Sequence, residues 1–498
     1  MKTSLSASVP GSPGRKKASE SYAFYIALTE AIMTLVERVR RSDSAQLRSG
    51  GMDFSHAFEA MLYFACVHDP GLIGLHENPG DVDAARLLQG APARLLAQNG
   101  FAQDAALRWV ARRDRIAGLY KKVKRAVGSG GNNAPITAEK SAAAAPILFF
   151  ARSPRFAHYF RPIADRLRGR CAFLVPDGDE ALRAMPPQWG HPVLSYRGAA
   201  EPQNAAGRML ADNAPHLLNC AKGLEQALLQ SEARLVVVLE GNSPDDEIVN
   251  RVAHKLGRRT ACLQQGWSPI VHPGFRNLSY DDLLVWGEGF AELLAPYNPA
   301  QHFTAVGNHQ LRLHPAGERS GVLFFFQGFE KWLGGYQSTE AMLSLVERVA
   351  ESAVPVYVRP HPVAPFPASV LARLSRWPNI HVEPPSQVAL ADAFAKARIS
   401  VSTYSTTILE SAAAGTVPVI FNTTTMPRYW PDVDAAGAGL EIGDIDAAES
   451  AIRRLLADRP FFDSFAAPMA DFAARFFRAV GDPALTEVET VLLRLANG

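Results

Sequence analysis

The chain has 498 residues, room for two to four domains at roughly 100 to 200 residues each. Hydrophobic residues make up 47% and charged residues 20%, the balance of an ordinary globular chain, which excludes a wholly disordered or fibrous protein. Lys plus Arg number 51 against 49 for Asp plus Glu, a net charge of +2, so the broad basic field of a dedicated nucleic-acid binder is missing and no nucleic-acid partner is expected.

Residues 1–19 open the chain with a stretch rich in Ser, Pro and Gly that reads as a disordered tail. The apolar run from Tyr22 to Val36 is interrupted by Glu30 and is too short for a membrane span. It runs into Glu37-Arg38-Val39-Arg40-Arg41 with no small-residue cleavage site, so a buried amphipathic helix is expected rather than a signal peptide. Apolar positions recur at three and four through residues 20–127, which predicts a helical N-terminal domain. Within it Arg112-Arg113 and Lys121-Lys122-Val123-Lys124-Arg125 read as one solvated helix face, with a peripheral contact to anionic lipid as the alternative. Residues 128–145 have a linker's composition.

Beyond the linker, short apolar runs alternate with helical periodicity. Ile147–Phe150, Ala172–Val175, Leu235–Leu239, Thr260–Leu263 and Leu283–Trp286 predict buried strands of a parallel α/β domain over residues 146–315. Val322–Phe326, Val356–Val358, Ile380–Val382, Ile399–Val401 and Val417–Phe421 predict a second one over residues 316–498. The fold class expected is therefore α/β, two tandem Rossmann-like doubly wound domains preceded by a helical one, with ligands at the carboxyl ends of the strands and a cleft between the two sheets. Cys66, Cys171, Cys220 and Cys262 stand far apart with no Cys-x-x-Cys pair, which argues against a disulfide framework or a zinc site and for a reducing cytoplasm.

The stretch from Ile399 to Val419 is the most informative. A strand ends at Val401, a hydroxyl cluster of Ser402, Thr403, Ser405 and Thr406 follows, and a short Ala-rich helix stops at Gly415. Hydroxyls and free backbone N–H groups at a strand's carboxyl end make an anion site, most naturally for a phosphate, although one of them is needed simply to cap the helix. Glu410, four residues after Thr406, shares its helix face and suits ribose hydroxyls. In Val358-Arg359-Pro360-His361-Pro362 the prolines fix the backbone around His361, so His361 and Arg359 are candidates for the same phosphate. Gln327 and Gly328 end the first strand of this domain, where Gly lets backbone approach a ligand.

In the preceding domain the strand Leu235–Leu239 delivers Glu240 to the sheet's end, where a carboxylate can act as general base on a sugar hydroxyl. Ser243, Pro244 and Asp246 form a capping-box pattern, which assigns Asp246 to structure. Gln264, Gln265 and His158 also follow strands and are candidates for the acceptor side. The pairs Asp432/Asp434 and Asp444/Asp446 are too common a spacing to predict a metal site, and no metal cofactor is expected.

These residues taken together resemble the bacterial GT-B glycosyltransferases that build capsules and other surface polysaccharides. The resemblance rests on Glu240-Gly241 after an apolar strand, Gln264-Gln265-Gly266, Leu284-Val285-Trp286-Gly287, Val306-Gly307-Asn308, Arg359-Pro360-His361-Pro362 and Ser402 to Gly415, over roughly residues 146–480. The His-Pro and Ser/Thr pair is most like that of sialyltransferases and Kdo transferases, which use CMP-activated acidic sugars. The resemblance implies that His361 and the hydroxyls of Ser402, Thr403, Ser405 and Thr406 hold the nucleotide phosphate and that Glu240 is the base. It further implies an inverting, metal-independent transfer to a glycan or glycolipid acceptor, in the cytoplasm or peripherally at the inner face of the cell membrane. CDP-glycerol glycerophosphotransferases share the motif more loosely; these relatives carry His-Gly after the glutamine, where this chain has Gln265. The alternatives are a nucleotide-sugar epimerase, a CDP-glycerol-type phosphotransferase and a non-catalytic subunit of glycan assembly.

Overall fold

The structure, a computed structural model, describes residues 29–30, 32–34, 36–41, 44–67, 144–176, 191–196, 215–267, 271–314, 319–327, 339–362, 364–423 and 431–498. The expected tail over 1–19, most of the expected helical domain and linker, and the basic segment around 112–125 lie outside the described residues.

Two compact units emerge. The first gathers the described residues of 29–67, 144–313 and 473–498; the second holds those from 314 to 472. The first is built on a parallel sheet of seven strands: β3 (Ile147–Phe150), β4 (Cys171–Pro176), β5 (Val193–Tyr196), β6 (Leu235–Leu239), β7 (Arg259–Leu263), β8 (Asp282–Val285) and β9 (Phe303–Ala305), in the spatial order β5-β4-β3-β6-β7-β8-β9. The second has six, β10 (Gly321–Phe325), β11 (Val356–Arg359), β12 (Ile380–Val382), β13 (Ala397–Ser402), β14 (Val417–Phe421) and β15 (Leu440–Ile442), in the order β12-β11-β10-β13-β14-β15. Every pairing in both sheets is parallel. Both sheets therefore reverse their winding beside the first strand of the unit, at β3/β6 and at β10/β13, the doubly wound pattern expected. Central strands such as β3, β6, β10 and β14 are buried at every residue, so they read as unbroken apolar runs rather than alternating ones. The expected strands are all present; β5, β9 and β15, at or near the edges and only partly buried, carry no such run and were not predicted.

Two boundaries differ from expectation. Residues 473–498 do not complete the second unit. The helix Asp482–Asn497 returns to the first, where Leu485, Val488 and Leu492, at spacings of three and four, pack with Phe156, Phe160 and Ile163 of the helix Pro154–Arg166 and with the β3 side chains Ile147 and Phe149. Glycine makes the close approach possible: a Cβ at Gly307, with φ +86°, would lie 2.2 Å from the Ala479 carbonyl, which instead accepts a bond from Asn308 N at 2.9 Å.

The described N-terminal part is also not purely helical. Arg48–Ser49 (β1) and Met52–Asp53 (β2) form an antiparallel hairpin around Gly50-Gly51, both at positive φ as a two-residue turn requires. The helix Ser55–Val67 then packs on the first unit's helix Pro244–Lys255, so this segment belongs with that unit. His56 lies within 3.4 Å of the Glu247 carboxylate and shares a 3.0 Å hydrogen bond with the Pro273 carbonyl.

Candidate functional site

In the second unit the reversal point is framed by the ends of β10 and β13, with β11 on the far side of β10. Ser402 closes β13 opposite Phe325 of β10. It is 2% exposed, and its Oγ is buried without a hydrogen-bond partner among the described residues. Thr403 follows, also buried. His361 follows β11, half-buried, its carbonyl accepting from Ala364 N at 3.0 Å in a short turn. Gln327 follows β10, half-buried as well, while Gly328 lies outside the described residues. His361, Gln327 and Ser402-Thr403 thus stand at the carboxyl ends of three adjacent strands.

The hydroxyl cluster divides its labour. Ser405 Oγ accepts from Thr407 N at 3.2 Å and from Thr407 Oγ1 at 2.9 Å, so Ser405 supplies the start signal of the helix Thr407–Ala413 rather than a free hydroxyl at the anion site. Thr406, the N-cap residue, makes no side-chain cap bond, and Glu410 N donates to the Thr406 carbonyl at 3.3 Å, which puts the two on one helix face as expected. The helix has only seven residues; it is held on β13 by Ser400 Oγ donating to Ser411 Oγ (2.8 Å) and Ser411 Oγ donating to the Thr407 carbonyl. Arg359 departs from expectation. It is 8% exposed, burial lowers its pKa with Glu383 opposing, and its Nη1 donates at 2.8 Å to the Val388 carbonyl. A guanidinium so placed ties β11 to the loop ahead of the helix Leu390–Lys396 instead of offering a fork to a phosphate.

The corresponding point of the first unit lies at the ends of β3 and β6. Glu240 N closes the ladder onto the Leu263 carbonyl at 2.9 Å, and the backbone then turns through two left-handed residues, Glu240 (φ +67°) and Gly241 (φ +70°). Glycine is required at the second: a Cβ there would lie 2.4 Å from Cys262 Sγ. At Glu240, a residue with a side chain, the conformation costs about 1 to 2 kcal/mol and marks a site held by its surroundings. Those surroundings are cationic. Arg155 Nη2 donates to Glu240 Oε1 at 2.5 Å and to Gln265 Oε1 at 2.7 Å; Arg152 Nη2 lies 3.8 Å from Glu240 Oε2, its Nε donates to Asp246 Oδ1 at 3.4 Å, and its guanidinium covers the Phe156 ring.

Asp246 is wholly buried and belongs to a capping box, accepting from Ser243 Oγ at 2.6 Å while its own N–H donates to Ser243 Oγ, the structural role expected of it. Burial pushes its pKa up to about 6 against the pull of Arg152. The acceptor-side candidates separate. Gln265 joins the charged cluster, and His158 is exposed one turn beyond Arg155 on the same helix. Gln264 does neither: its Oε1 accepts from Trp286 N (3.0 Å) and its Nε2 donates to the Gly266 carbonyl (3.2 Å), so its amide is consumed in shaping the loop. Arg152 and Arg155 were missed; the available signal was two arginines in Arg152-Ser153-Pro154-Arg155, directly after the first strand of a doubly wound domain. No cluster of three or more His, Cys, Asp or Glu side chains is placed to hold a metal ion among the described residues, and none of the described helices is long and apolar enough to cross a membrane.

No family model matches the chain, and no curated protein is similar to it. Among solved structures it is similar to MurG of Acinetobacter baumannii (12% identity, TM-score 0.44, over 70% of this chain and 99% of that one). It is also similar to a UDP-N-acetylglucosamine 2-epimerase (16%, 0.47, 71% and 97%) and to Anabaena Alr3699/HepE in complex with UDP (13%, 0.45, 71% and 100%). With TM-scores below 0.5, the architecture stands on this chain's own strand order.

Proposed function

We propose that the chain is a glycosyltransferase of the GT-B type, in which the second unit binds a nucleotide-activated sugar and the first binds a glycan or glycolipid acceptor. The observation that carries this reading is the buried Ser402 hydroxyl, which has no hydrogen-bond partner among the described residues, at the reversal point of a doubly wound sheet. Such a group costs about 1 to 3 kcal/mol when left unsatisfied, and a ligand that completes it repays that cost. A phosphate does so, with Thr403, Thr406 and the His361 imidazole as further donors and Glu410 placed for ribose hydroxyls.

In the reaction, Glu240 takes the proton of an acceptor hydroxyl as its oxygen attacks the anomeric carbon. The bond from that carbon to the nucleotide's phosphate oxygen breaks, and the charge left on the phosphate is met by His361 and the hydroxyls; a single displacement inverts the configuration. The donor favoured is a CMP-linked acidic sugar of the sialic acid or Kdo kind, the acceptor a cell-surface glycan, and no metal is called for in this scheme. The reaction runs in the cytoplasm or at the inner face of the membrane.

The test is thermal stabilisation of the protein by CMP, CDP, UDP and dTDP, followed by incubation of the matching nucleotide sugars with and without surface glycans. Preferential stabilisation by CMP and glycan-dependent release of nucleotide are expected. A changed sugar with no nucleotide released would make the chain an epimerase, transfer of glycerol phosphate from CDP-glycerol a phosphotransferase, and glycan binding without turnover an assembly subunit. Stabilisation by none of the nucleotides would sink the donor site.

A further inference from the structure

We infer that Arg155 is a positioning residue for the first unit's site: it fixes the Glu240 carboxylate and the Gln265 amide in one arrangement, leaving Glu240 Oε2 to take a proton and Gln265 Nε2 to donate to the oxygen that loses it. The inference rests on the reading of Glu240 as base.

The geometry comes from three separate strand ends. Arg155 stands two residues into the helix that follows β3, Glu240 follows β6 and Gln265 follows β7. One nitrogen of Arg155 bears two hydrogens, and they go to different acceptors: Glu240 Oε1 at 2.5 Å and Gln265 Oε1 at 2.7 Å. Because the amide oxygen of Gln265 faces the guanidinium, its NH₂ faces away and makes no hydrogen bond to another described residue. The two carboxylate oxygens of Glu240 are likewise unequal. Oε1 is held by Arg155, whereas Oε2 is 3.8 Å from Arg152, beyond hydrogen-bond reach, and is the oxygen left for a ligand.

An exposed ion pair by itself contributes little, because both side chains lose freedom to form it in water. Arg155 is 54% exposed, so its contact would matter little to folding. What it does instead is hold two polar side chains that stand just past the ends of β6 and β7, one of them on a residue in the left-handed region. The cluster also carries no excess of positive charge: Arg152 and Arg155 face the carboxylates of Glu240 and Asp246, with Asp245 acting on Arg152 as well, so the donor and acceptor that remain among the described residues suit an uncharged hydroxyl, which both accepts and donates a hydrogen bond.

The test compares the wild type with Arg155→Ala, Arg155→Lys and Glu240→Gln, by crystal structure and by kinetics with the best nucleotide sugar and glycan. Arg155→Ala should keep its melting temperature, release the Glu240 carboxylate and turn the Gln265 amide. Its kcat should fall about 10- to 100-fold, the size of effect that a misplacement of about 1 Å produces, with the KM for the nucleotide sugar unchanged. Arg155→Lys, or guanidinium added to Arg155→Ala, should restore part of kcat; guanidinium should do nothing for Glu240→Gln. An Arg155→Ala structure in which Glu240 and Gln265 have not moved would overturn the positioning role, as would a wild-type kcat in that variant where Glu240→Gln is inactive. A fully active Glu240→Gln enzyme, or a wild type with no turnover, would sink the base reading, while the crystal structures would still decide whether Arg155 holds the pair.

Discussion

The reversal points of the two sheets are topological equals with opposite chemistry. At β10/β13 the side chains are hydroxyls, an amide and one imidazole, with Arg359 drawn away to the Val388 carbonyl. At β3/β6 they are two arginines and two carboxylates locked together. A doubly wound sheet delivers a ligand site to the same place each time, so the strand order tells where to look and only the residues tell for what. Hydroxyls and backbone N–H groups have the chemistry to meet an anion; a lattice of paired charges holds one carboxylate.

The first unit's reliance on buried charge continues in the first turn of its helix Pro244–Lys255, at Glu247, and breaking it there should have the largest effect. Burial works against charge on His56, but Glu247 outweighs it and carries the imidazole up to about 9, while His56 and Arg251 overcome burial of Glu247 and hold it down to about 2. Replacing His56 by Ala leaves Glu247 buried beside Arg251 alone and should destabilise the first unit by about 3 to 5 kcal/mol. Because the folded-state pKa of His56 lies above its ordinary 6.5, its stabilisation is complete below that pH and is lost as pH rises through about 9. Glu59, raised by burial to about 7, has the same sign over a lower window, from 4.5 up through 7. Melting curves from pH 6.5 to 9.5 should fall steeply for the wild type and less so for His56→Ala; parallel curves would contradict this.

Leu492→Ala, a fully buried position near the chain's end, should cost about 2 to 5 kcal/mol in calorimetric unfolding yet leave nucleotide binding by the second unit unchanged, because its side chain fills the first unit's core. Next come two glycines with like backbone angles. Gly241→Ala meets Cys262 Sγ at 2.4 Å and should cost about 2 to 4 kcal/mol, whereas Gly415→Ala, whose nearest neighbour is Arg319 Nη1 at 3.8 Å, should cost only about 1 kcal/mol from the left-handed backbone. Equal losses in thermal melts would mean that crowding at the first site is overstated. The smallest effect is the most diagnostic. Ser402→Ala removes a buried hydroxyl with no partner among the described residues and should raise stability by about 1 kcal/mol while weakening nucleotide binding roughly tenfold, measured by titration calorimetry. A variant that binds nucleotide as tightly as the wild type would remove Ser402 from the site.

Much of this molecule can be read directly from its residues. The ten strands predicted are all present because nearly all are apolar runs buried along most of their length, a property of consecutive residues; the edge strand β12 is the exception. The capping box of Ser243 and Asp246 and the shared face of Thr406 and Glu410 are equally local, set within three or four positions of the chain. Less legible was the outcome where a side chain had a choice of partners. Ser405 turned to its own helix, Gln264 to Trp286 N and Arg359 to a carbonyl 29 residues away.

Local periodicity and composition were thus sufficient to predict two doubly wound sheets and the strand ends where the candidate site residues stand, since burial and capping act over a few residues. The pairing of Arg155 with Glu240, 85 residues on, and with Gln265, 110 residues on, was decided only by tertiary structure, as was the return of the final helix to the first unit. Such partners are chosen by which strands become neighbours in the sheet and which apolar face is left to cover, and neither is encoded in any short stretch of chain.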